Sequence, residues 1–302
     1  MLKRYIRSLS TLLTLAFIAV LLVGCTSRTT TSHDSHRINV VASLDFYGET
    51  AKAVLGDKGT VTSIIDKPSM EPHEFEPTTK TAKQVSNANI IIYNGLGYDT
   101  WMKRLSADNT GTTKINVAQG IMNRRDGDNE HIWYSMKTMP KLANELADQF
   151  AKRQPENKAY FKRNAKHYIQ SLKPLDQKVT QLRRNSHHAR VNVSEPVFDY
   201  SLAEMGYRQN NNHYAQAVQN DTDPSPKDIK QMQADIRHHK IAFFVVNTQE
   251  ISKMTTNLLT LAKNSGVPIV RVTESQPSGT TYKTWMMRQF DEVQHTQKSH
   301  NR

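Results

Sequence analysis

Short apolar runs alternate with longer amphipathic segments along most of this chain, from about residue 38 to the C-terminus. The apolar runs are rich in β-branched residues and too short for helices, which predicts strands at 38–42, 61–65, 89–93 and 114–117. The segments between them predict helices at 46–55 and 79–87 and a third helix that carries Trp101 and Met102. Strands that alternate with helices are typical of βαβ units in a mainly parallel sheet.

The second half of the chain repeats this alternation. It predicts strands at 190–194, 241–246 and 267–270, and helices at 255–263 and near the C-terminus. Ser225 and Pro226 mark the start of another helix, because serine caps a helix N-terminus and proline fits the first turn. The polar segment around His213 is predicted to be a loop. The chain therefore contains two α/β series, one in each half.

A long charged stretch at 156–184 separates the two series. Its apolar residues recur at three- and four-residue steps, which predicts a long helix that joins two lobes. Pro174 lies inside this stretch and is expected to kink or break the helix, since proline has no backbone donor. We predict an α/β fold of two lobes, each a mainly parallel sheet flanked by helices. The predicted divisions are a signal peptide at 1–24, a flexible lipidated tether at 25–37, an N-terminal lobe at 38–152, a linker helix at 153–188 and a C-terminal lobe at 189–302.

The N-terminus has the pattern of a bacterial export signal. Three cations within the first seven residues precede an apolar run at 12–23, which is too short for a comfortable membrane span. The run ends in Leu22-Val23-Gly24-Cys25, which resembles a lipoprotein box. We predict that Cys25 is lipidated and holds the protein on the extracellular face of the cell membrane. The alternative is an uncleaved N-terminal anchor helix, which would also leave the rest of the chain outside the cytoplasm.

Composition narrows the possible chemistry. Cys25 is the only cysteine, so disulfides and thiolate metal clusters are excluded. The formal net charge of +12 suits a cell surface rich in anionic polymer and lipid. Lysine and arginine are scattered along predicted helical faces, and no basic segment is interleaved with aromatic residues. A nucleic-acid partner is therefore not predicted.

Four residues with metal-binding side chains follow predicted strands or the loops after them. His73 and His131 lie in the first half of the chain, and Glu195 and Glu274 lie in the second half. Open α/β sheets place their binding sites beyond the carboxyl ends of the strands, so we expect the four side chains to meet at one point. Pro72 stiffens the loop that carries His73. Imidazole nitrogen suits zinc, manganese, iron or copper, and carboxylate oxygen shifts the preference toward manganese.

The segments around these residues match a known pattern. Glu71-Pro72-His73-Glu74-Phe75-Glu76-Pro77-Thr78 is similar to the motif Asp/Glu-Pro-His-x-Tyr/Phe-Glu-Pro-Thr, and Tyr93-Asn94-Gly95-Leu96-Gly97 followed by Trp101 matches the strand and turn that come next. Asn129-Glu130-His131-Ile132-Trp133 is similar to Asn-Pro-His-x-Trp, with Glu130 in place of proline. Together with the segments at 194–200 and 273–285, these motifs resemble the metal-binding lipoproteins of bacterial ABC importers, the zinc and manganese solute-binding family.

This resemblance implies two α/β lobes joined by one long helix, little hinge motion, and one buried divalent cation, Zn²⁺ or Mn²⁺, carried as cargo. It implies that His73 and His131 are ligands from the first lobe, and that Glu195 and Glu274 are ligands from the second. It also implies an ATP-driven membrane permease as partner and a binding protein rather than an enzyme. We expect a monomer, and the donor set leaves the choice between the two ions open.

Two other functions are compatible with the same residues. The first is a surface adhesion lipoprotein whose metal ion is purely structural. The second is a metallohydrolase, in which Glu74 or Glu76 would act as general base beside a metal with an open coordination position. The sequence contains no His-Glu-x-x-His segment, and four protein ligands leave little room for a reactive water molecule.

Overall fold

The first half of the chain forms a parallel sheet. The computed structural model describes residues 37–220 and 222–300, and the side chains of 299 and 300 are not described. The predicted signal peptide and Cys25 lie outside the described residues. The first sheet consists of β1 (Ile38–Leu44), β2 (Gly59–Ile65), β3 (Ile90–Tyr93) and β4 (Thr113–Asn116). Its strands pair in parallel in the order β2-β1-β3-β4.

Helices connect and cover these strands, as the alternating pattern predicts. They are α1 (Asp45–Leu55), α2 (Thr79–Ser86), α3 (Thr100–Leu105) and α4 (Thr138–Arg153). Strand β3 is wholly apolar because helices cover both faces of the sheet, and Ile90, Ile91 and Ile92 are completely buried. The Thr78 hydroxyl caps α2 by accepting a hydrogen bond from the backbone N–H of Thr81, so the loop after β2 ends at a defined point.

The long charged stretch forms a single helix, α5 (Lys158–Arg184). It continues through Pro174, so the expectation that this proline breaks the helix is wrong. Proline removes one backbone hydrogen bond, whereas the apolar stripe on both sides of it stays buried, with Leu172, Leu175 and Val179 turned inward. That stripe packs against α1, α4 and the C-terminal helix, and this packing favours a continuous helix over a broken one.

The second half forms another parallel sheet. Its strands are β5 (Arg190–Val193), β6 (Arg208–Gln209), β7 (Phe244–Asn247) and β8 (Ile269–Val272), in the order β6-β5-β7-β8. Its helices are α6 (Asp199–Glu204), α7 (Asn212–Gln219), α8 (Pro226–Arg237), α9 (Lys253–Asn264) and α10 (Tyr282–His300). The predicted fold class, two mainly parallel sheets flanked by helices with one long helix between them, is confirmed.

Two short elements differ from the sequence analysis. The segment around His213 is helix α7, not the predicted loop, and β6 is a strand of two residues that the pattern does not indicate. Helix α7 is mostly polar and only eight residues long, and among its residues only Tyr214 and Ala215 are fully buried. Two buried positions are too few to produce a helical period in the sequence.

One continuous core joins the two halves. Its largest buried cluster contains residues of both sheets together with α5 and α10. At its centre Phe46 of α1 stacks near Trp133 and Trp285, with ring centroids 5.2 and 5.7 Å away. Tyr134 in turn packs edge-on against Phe198, at 5.2 Å. Side chains from α1, from the segment before α4, from α10 and from the second half therefore form one aromatic layer.

Within the described residues, no helix combines the length and the apolar character that a membrane span requires.

Candidate metal site

The loop between β2 and α2 carries His73, and contacts with α3 hold it in place. Pro72 is buried, and its carbonyl oxygen accepts a hydrogen bond from the indole N–H of Trp101 at 3.1 Å. The ring of Phe75 packs on Trp101 with the centroids 4.6 Å apart. The sequence produces this geometry because the two prolines of the loop restrict the backbone on either side of His73, and the aromatic residues supply the anchor. The imidazole is therefore presented from a fixed loop.

His131 is buried and oriented by its own loop. The backbone nitrogen and ring Nδ1 of His131 both lie 2.9 Å from Oδ1 of Asn129. The side-chain Nδ2 of Asn129 in turn donates a hydrogen bond to the carbonyl oxygen of Pro196 at 2.6 Å. An acceptor at Nδ1 places the proton on that nitrogen and leaves Nε2 available as a ligand, the arrangement common for metal-binding histidines. Nε2 lies 3.5 Å from Oε1 of Glu274.

Tyr98 lies between the two histidine rings. Its ring meets His73 edge-on at 4.8 Å and His131 at 6.1 Å between centroids. Its hydroxyl group interacts with the carboxylate of Glu274. This fully buried tyrosine thus connects three of the four predicted ligands through packing and hydrogen bonding.

The two predicted carboxylate ligands follow strands of the second sheet, Glu195 after β5 and Glu274 after β8. Burial disfavours the ionised form of Glu195, and the charge of Glu274 adds to this, so the pKa of Glu195 rises to about 7. Burial acts on Glu274 in the same direction. The hydrogen bond from His131 and the positive charge of its ring outweigh that effect and hold the pKa of Glu274 below its usual value.

The histidines respond to the carboxylates in the opposite direction. Burial disfavours protonation of His73, but the hydrogen bond and charge of Glu130 outweigh it and raise the pKa of His73 to about 9. Burial likewise disfavours protonation of His131, yet Glu274 raises the pKa of His131 above its usual value. The site therefore attracts positive charge, which protons supply when no metal ion does.

The structure brings the four predicted residues into one region, although not into a single compact set. Ligand atoms of His73, Glu274 and Glu71 all lie within 4.8 Å of one another. His131 reaches this trio through its contact with Glu274. Glu195 interacts electrostatically with both Glu274 and His131, and its Oε1 atom is buried without a hydrogen-bond partner among the described residues.

The unpaired buried oxygen of Glu195 bears on whether a cation fits between the four predicted ligands. Leaving such an acceptor unsatisfied costs about 1–3 kcal/mol, and more for a charged group. A divalent cation between Glu195 and Glu274 would pair this oxygen and remove the repulsion between the two carboxylates. The donor set of two imidazoles and two carboxylates thus fits Zn²⁺ or Mn²⁺.

Two acidic residues at the site were not among the predicted ligands. Glu71 opens the motif around His73, and its Oε1 accepts a hydrogen bond from the backbone N–H of His73 at 3.2 Å. Glu130, which precedes His131, places Oε1 3.0 Å from Nε2 of His73. In the sequence, Glu71 is marked by its place at the start of the motif around His73, and Glu130 is marked by its replacement of the proline that the second motif usually has. Neither signal gives the direction in which the side chain points.

Comparisons with known proteins identify the family of this chain and support its fold. A family model described as "Zinc-uptake complex component A periplasmic" matches residues 40–296. A manganese ABC transporter substrate-binding lipoprotein, PsaA, of Streptococcus anginosus is 24% identical over 95% of this chain and 98% of its own. The manganese-binding lipoprotein MntA of Halalkalibacterium halodurans is 26% identical over 83% of this chain and 84% of its own. The solved structure of the periplasmic zinc-binding protein TroA of Treponema pallidum superposes with a TM-score of 0.68 at 18% identity, covering 86% of this chain and 99% of that one.

The raised pKa of Glu195 leads to a prediction about stability. A carboxyl group whose pKa rises from 4.5 to about 7 on folding binds its proton more tightly in the folded state. The free energy of unfolding therefore falls as the pH rises through that window. In chelator-treated protein we expect Glu195→Gln to match the wild type near pH 4.5 and to exceed it by roughly 2–3 kcal/mol at pH 8. Denaturant unfolding at several pH values measures this.

Glu76→Gln serves as the control, because Glu76 is an exposed carboxylate in the loop that carries His73, and the substitution is chemically identical. This variant should follow the wild-type curve at every pH. Parallel curves for Glu195→Gln and the wild type between pH 5 and pH 8 would contradict the assigned environment of Glu195.

Proposed function

Since this chain belongs to the zinc-uptake component A family, we propose that it captures one divalent cation, Zn²⁺ or Mn²⁺, outside the cytoplasm and delivers it to an ATP-driven permease. One observation carries the proposal. Imidazoles from the first half and carboxylates from the second half converge, with His131 and Glu274 in contact and an unpaired oxygen of Glu195 buried beside them. The two carboxylates carry negative charge that a bound dication would neutralise.

We propose that His73, His131, Glu195 and Glu274 are the metal ligands. His131 is the best oriented of them, since Asn129 holds its Nδ1 and directs Nε2 toward Glu274. Glu71 contributes negative charge close to His73 and Glu274. Because half of the proposed donors are carboxylates, the site accepts manganese readily, while the general affinity order of the first-row dications favours zinc.

The same proposal covers the membrane attachment. Cys25, at the end of the predicted export signal, would carry the lipid, and the segment after it would tether the binding domain as a monomer to the extracellular face of the cell membrane. The relatives PsaA and MntA are called lipoproteins, which supports this proposal.

We also propose that the chain is not an enzyme. Four protein ligands complete a tetrahedral shell, whereas a catalytic metal keeps an open position for water. Glu74 and Glu76, the residues that a hydrolase would use as general base, are exposed.

Metal retention is the first test. Mature protein loaded with Zn²⁺ or Mn²⁺ and then dialysed should retain one ion per chain by elemental analysis. Replacing His73, His131, Glu195 or Glu274 with alanine should each lower affinity by about tenfold or more, because a ligand is lost from the shell. His167→Ala is the matched control, since His167 is exposed on α5, and it should retain metal fully. Equal retention by His73→Ala and the wild type would contradict the proposed ligand set.

Growth under metal limitation tests delivery and anchoring together. A strain that lacks the gene should grow poorly when Zn²⁺ and Mn²⁺ are scarce, and the wild-type gene should restore growth. His73→Ala should fail to restore growth while remaining in the membrane fraction. Cys25→Ala should be lost from the membrane fraction, because it cannot carry the lipid. Unimpaired growth of the deletion strain would instead favour an adhesion protein with a structural metal.

A further inference from the structure

Glu130 connects the His73 loop to a helix of the second half. Its Oε1 lies 3.0 Å from Nε2 of His73 and accepts a hydrogen bond from Nε2 of Gln219 at 2.7 Å. Gln219 is the last residue of α7, so one carboxylate oxygen bridges elements that lie on either side of the site. The side chain of Glu130 is only 12% exposed, whereas that of His73 is 39% exposed, so the carboxylate side of the contact is shielded and the imidazole side is open to water.

This contact and metal coordination through Nε2 exclude each other. A ring nitrogen that donates a proton to a carboxylate has no lone pair to offer a cation. Nε2 is the ring nitrogen farther from the backbone, and His131 likewise directs its Nε2 toward Glu274. The two histidines can share one cation with the second-half carboxylates only if Nε2 of His73 leaves Glu130.

The position of Glu130 is not that of a residue that only orients the His73 ring from behind. It immediately precedes His131, and its charge acts on both His131 and Tyr98, which lies between the two histidines. The carboxylate is thus beside the proposed ligands. It is not a member of the trio Glu71, His73 and Glu274. Glu130 would therefore compete with a cation bound at that trio for the imidazole of His73.

Space is available for Glu130 when it releases His73. The residue lines a cavity of about 440 Å³ whose walls are largely polar. Two carboxylates, Asp128 and Asp199, also line it, and the amide side chains of Gln216, Gln219 and Asn220 lie on its wall. Their amide groups are donors that can pair with a displaced carboxylate, so breaking the contact does not leave a buried charge unpaired.

From these observations, and resting on the proposed metal-binding function, we propose that Glu130 is a built-in counter-ligand. With no cation bound, Glu130 accepts a hydrogen bond from Nε2–H of His73, and Gln219 fixes the position of the carboxylate. On each loading event the Nε2 proton passes to solvent water, and Nε2 binds the metal ion in place of its contact with Glu130. The exchange lowers the affinity for metal and favours release, because Glu130 recaptures His73 as the cation leaves.

Glu130→Asp tests the proposal with the charge preserved. The shorter side chain withdraws the carboxylate by about one methylene, so the contact with His73 is lost while the local negative charge remains. In chelator-stripped protein we expect a lower melting temperature than in the wild type. Titration with Mn²⁺ should give a dissociation constant about five- to tenfold smaller, since His73 no longer has to be freed. Gln219→Ala should shift both quantities in the same directions by a smaller amount.

Glu74→Asp is the matched control, because Glu74 is exposed on the His73 loop and the change is chemically identical. It should leave both the melting temperature and the dissociation constant unchanged. An unchanged dissociation constant for Glu130→Asp would overturn the proposal. A weakening of tenfold or more would also overturn it, because Glu130 would then orient His73 for coordination through Nδ1. If the wild type itself bound neither Mn²⁺ nor Zn²⁺, the proposed function would fail, and the counter-ligand would fail with it.

Discussion

Two carboxylates and two imidazoles meet at the site, where burial opposes ionisation of Glu195 and Glu274. Burial raises the pKa of Glu195, and the charge of Glu274 adds to this effect. The histidines relieve part of this cost, since His131 pairs with Glu274, and this pairing outweighs burial and raises the pKa of His131. A protein selected only for stability would replace such groups with apolar side chains. Buried acidic groups at this point of the fold are therefore consistent with the proposed binding of a dication.

The rest of the fold keeps these groups from moving apart or becoming hydrated. The aromatic layer around Phe46 and Trp133 joins α1 to α10 directly beneath the site. Hydrogen bonds across the layer reinforce it, since the hydroxyl of Tyr282 donates to the carbonyl of Trp133 at 2.6 Å and its backbone N–H donates to Glu49 at 2.8 Å. A continuous core of this kind resists hinge opening, so we expect loading and release to depend on side chains and loops rather than on large movements of the two halves.

The sequence predicts the fold well because its signals are long and repeated. Strands such as β3 are apolar at every position, and the first-half motif fixes the loop of His73. The sequence does not predict the continuity of α5 through Pro174, because that outcome depends on tertiary packing of the flanking apolar stripe. It also does not indicate helix α7, whose buried face is too small to produce a period. The role of Glu130 depends on that helix, since Gln219 positions its carboxylate, and therefore only the structure reveals it.

The proposed function requires two imidazoles and two carboxylates from opposite halves of the chain to bind one cation. X-ray absorption spectroscopy of the zinc-loaded protein tests this most directly, because imidazole rings produce characteristic multiple scattering. We expect two imidazole nitrogens at about 2.0–2.1 Å from the zinc ion and carboxylate oxygens at about 2.0–2.2 Å. In His131→Ala one imidazole should disappear from the spectrum. A shell made only of oxygen atoms, or a spectrum with no imidazole scattering, would contradict it.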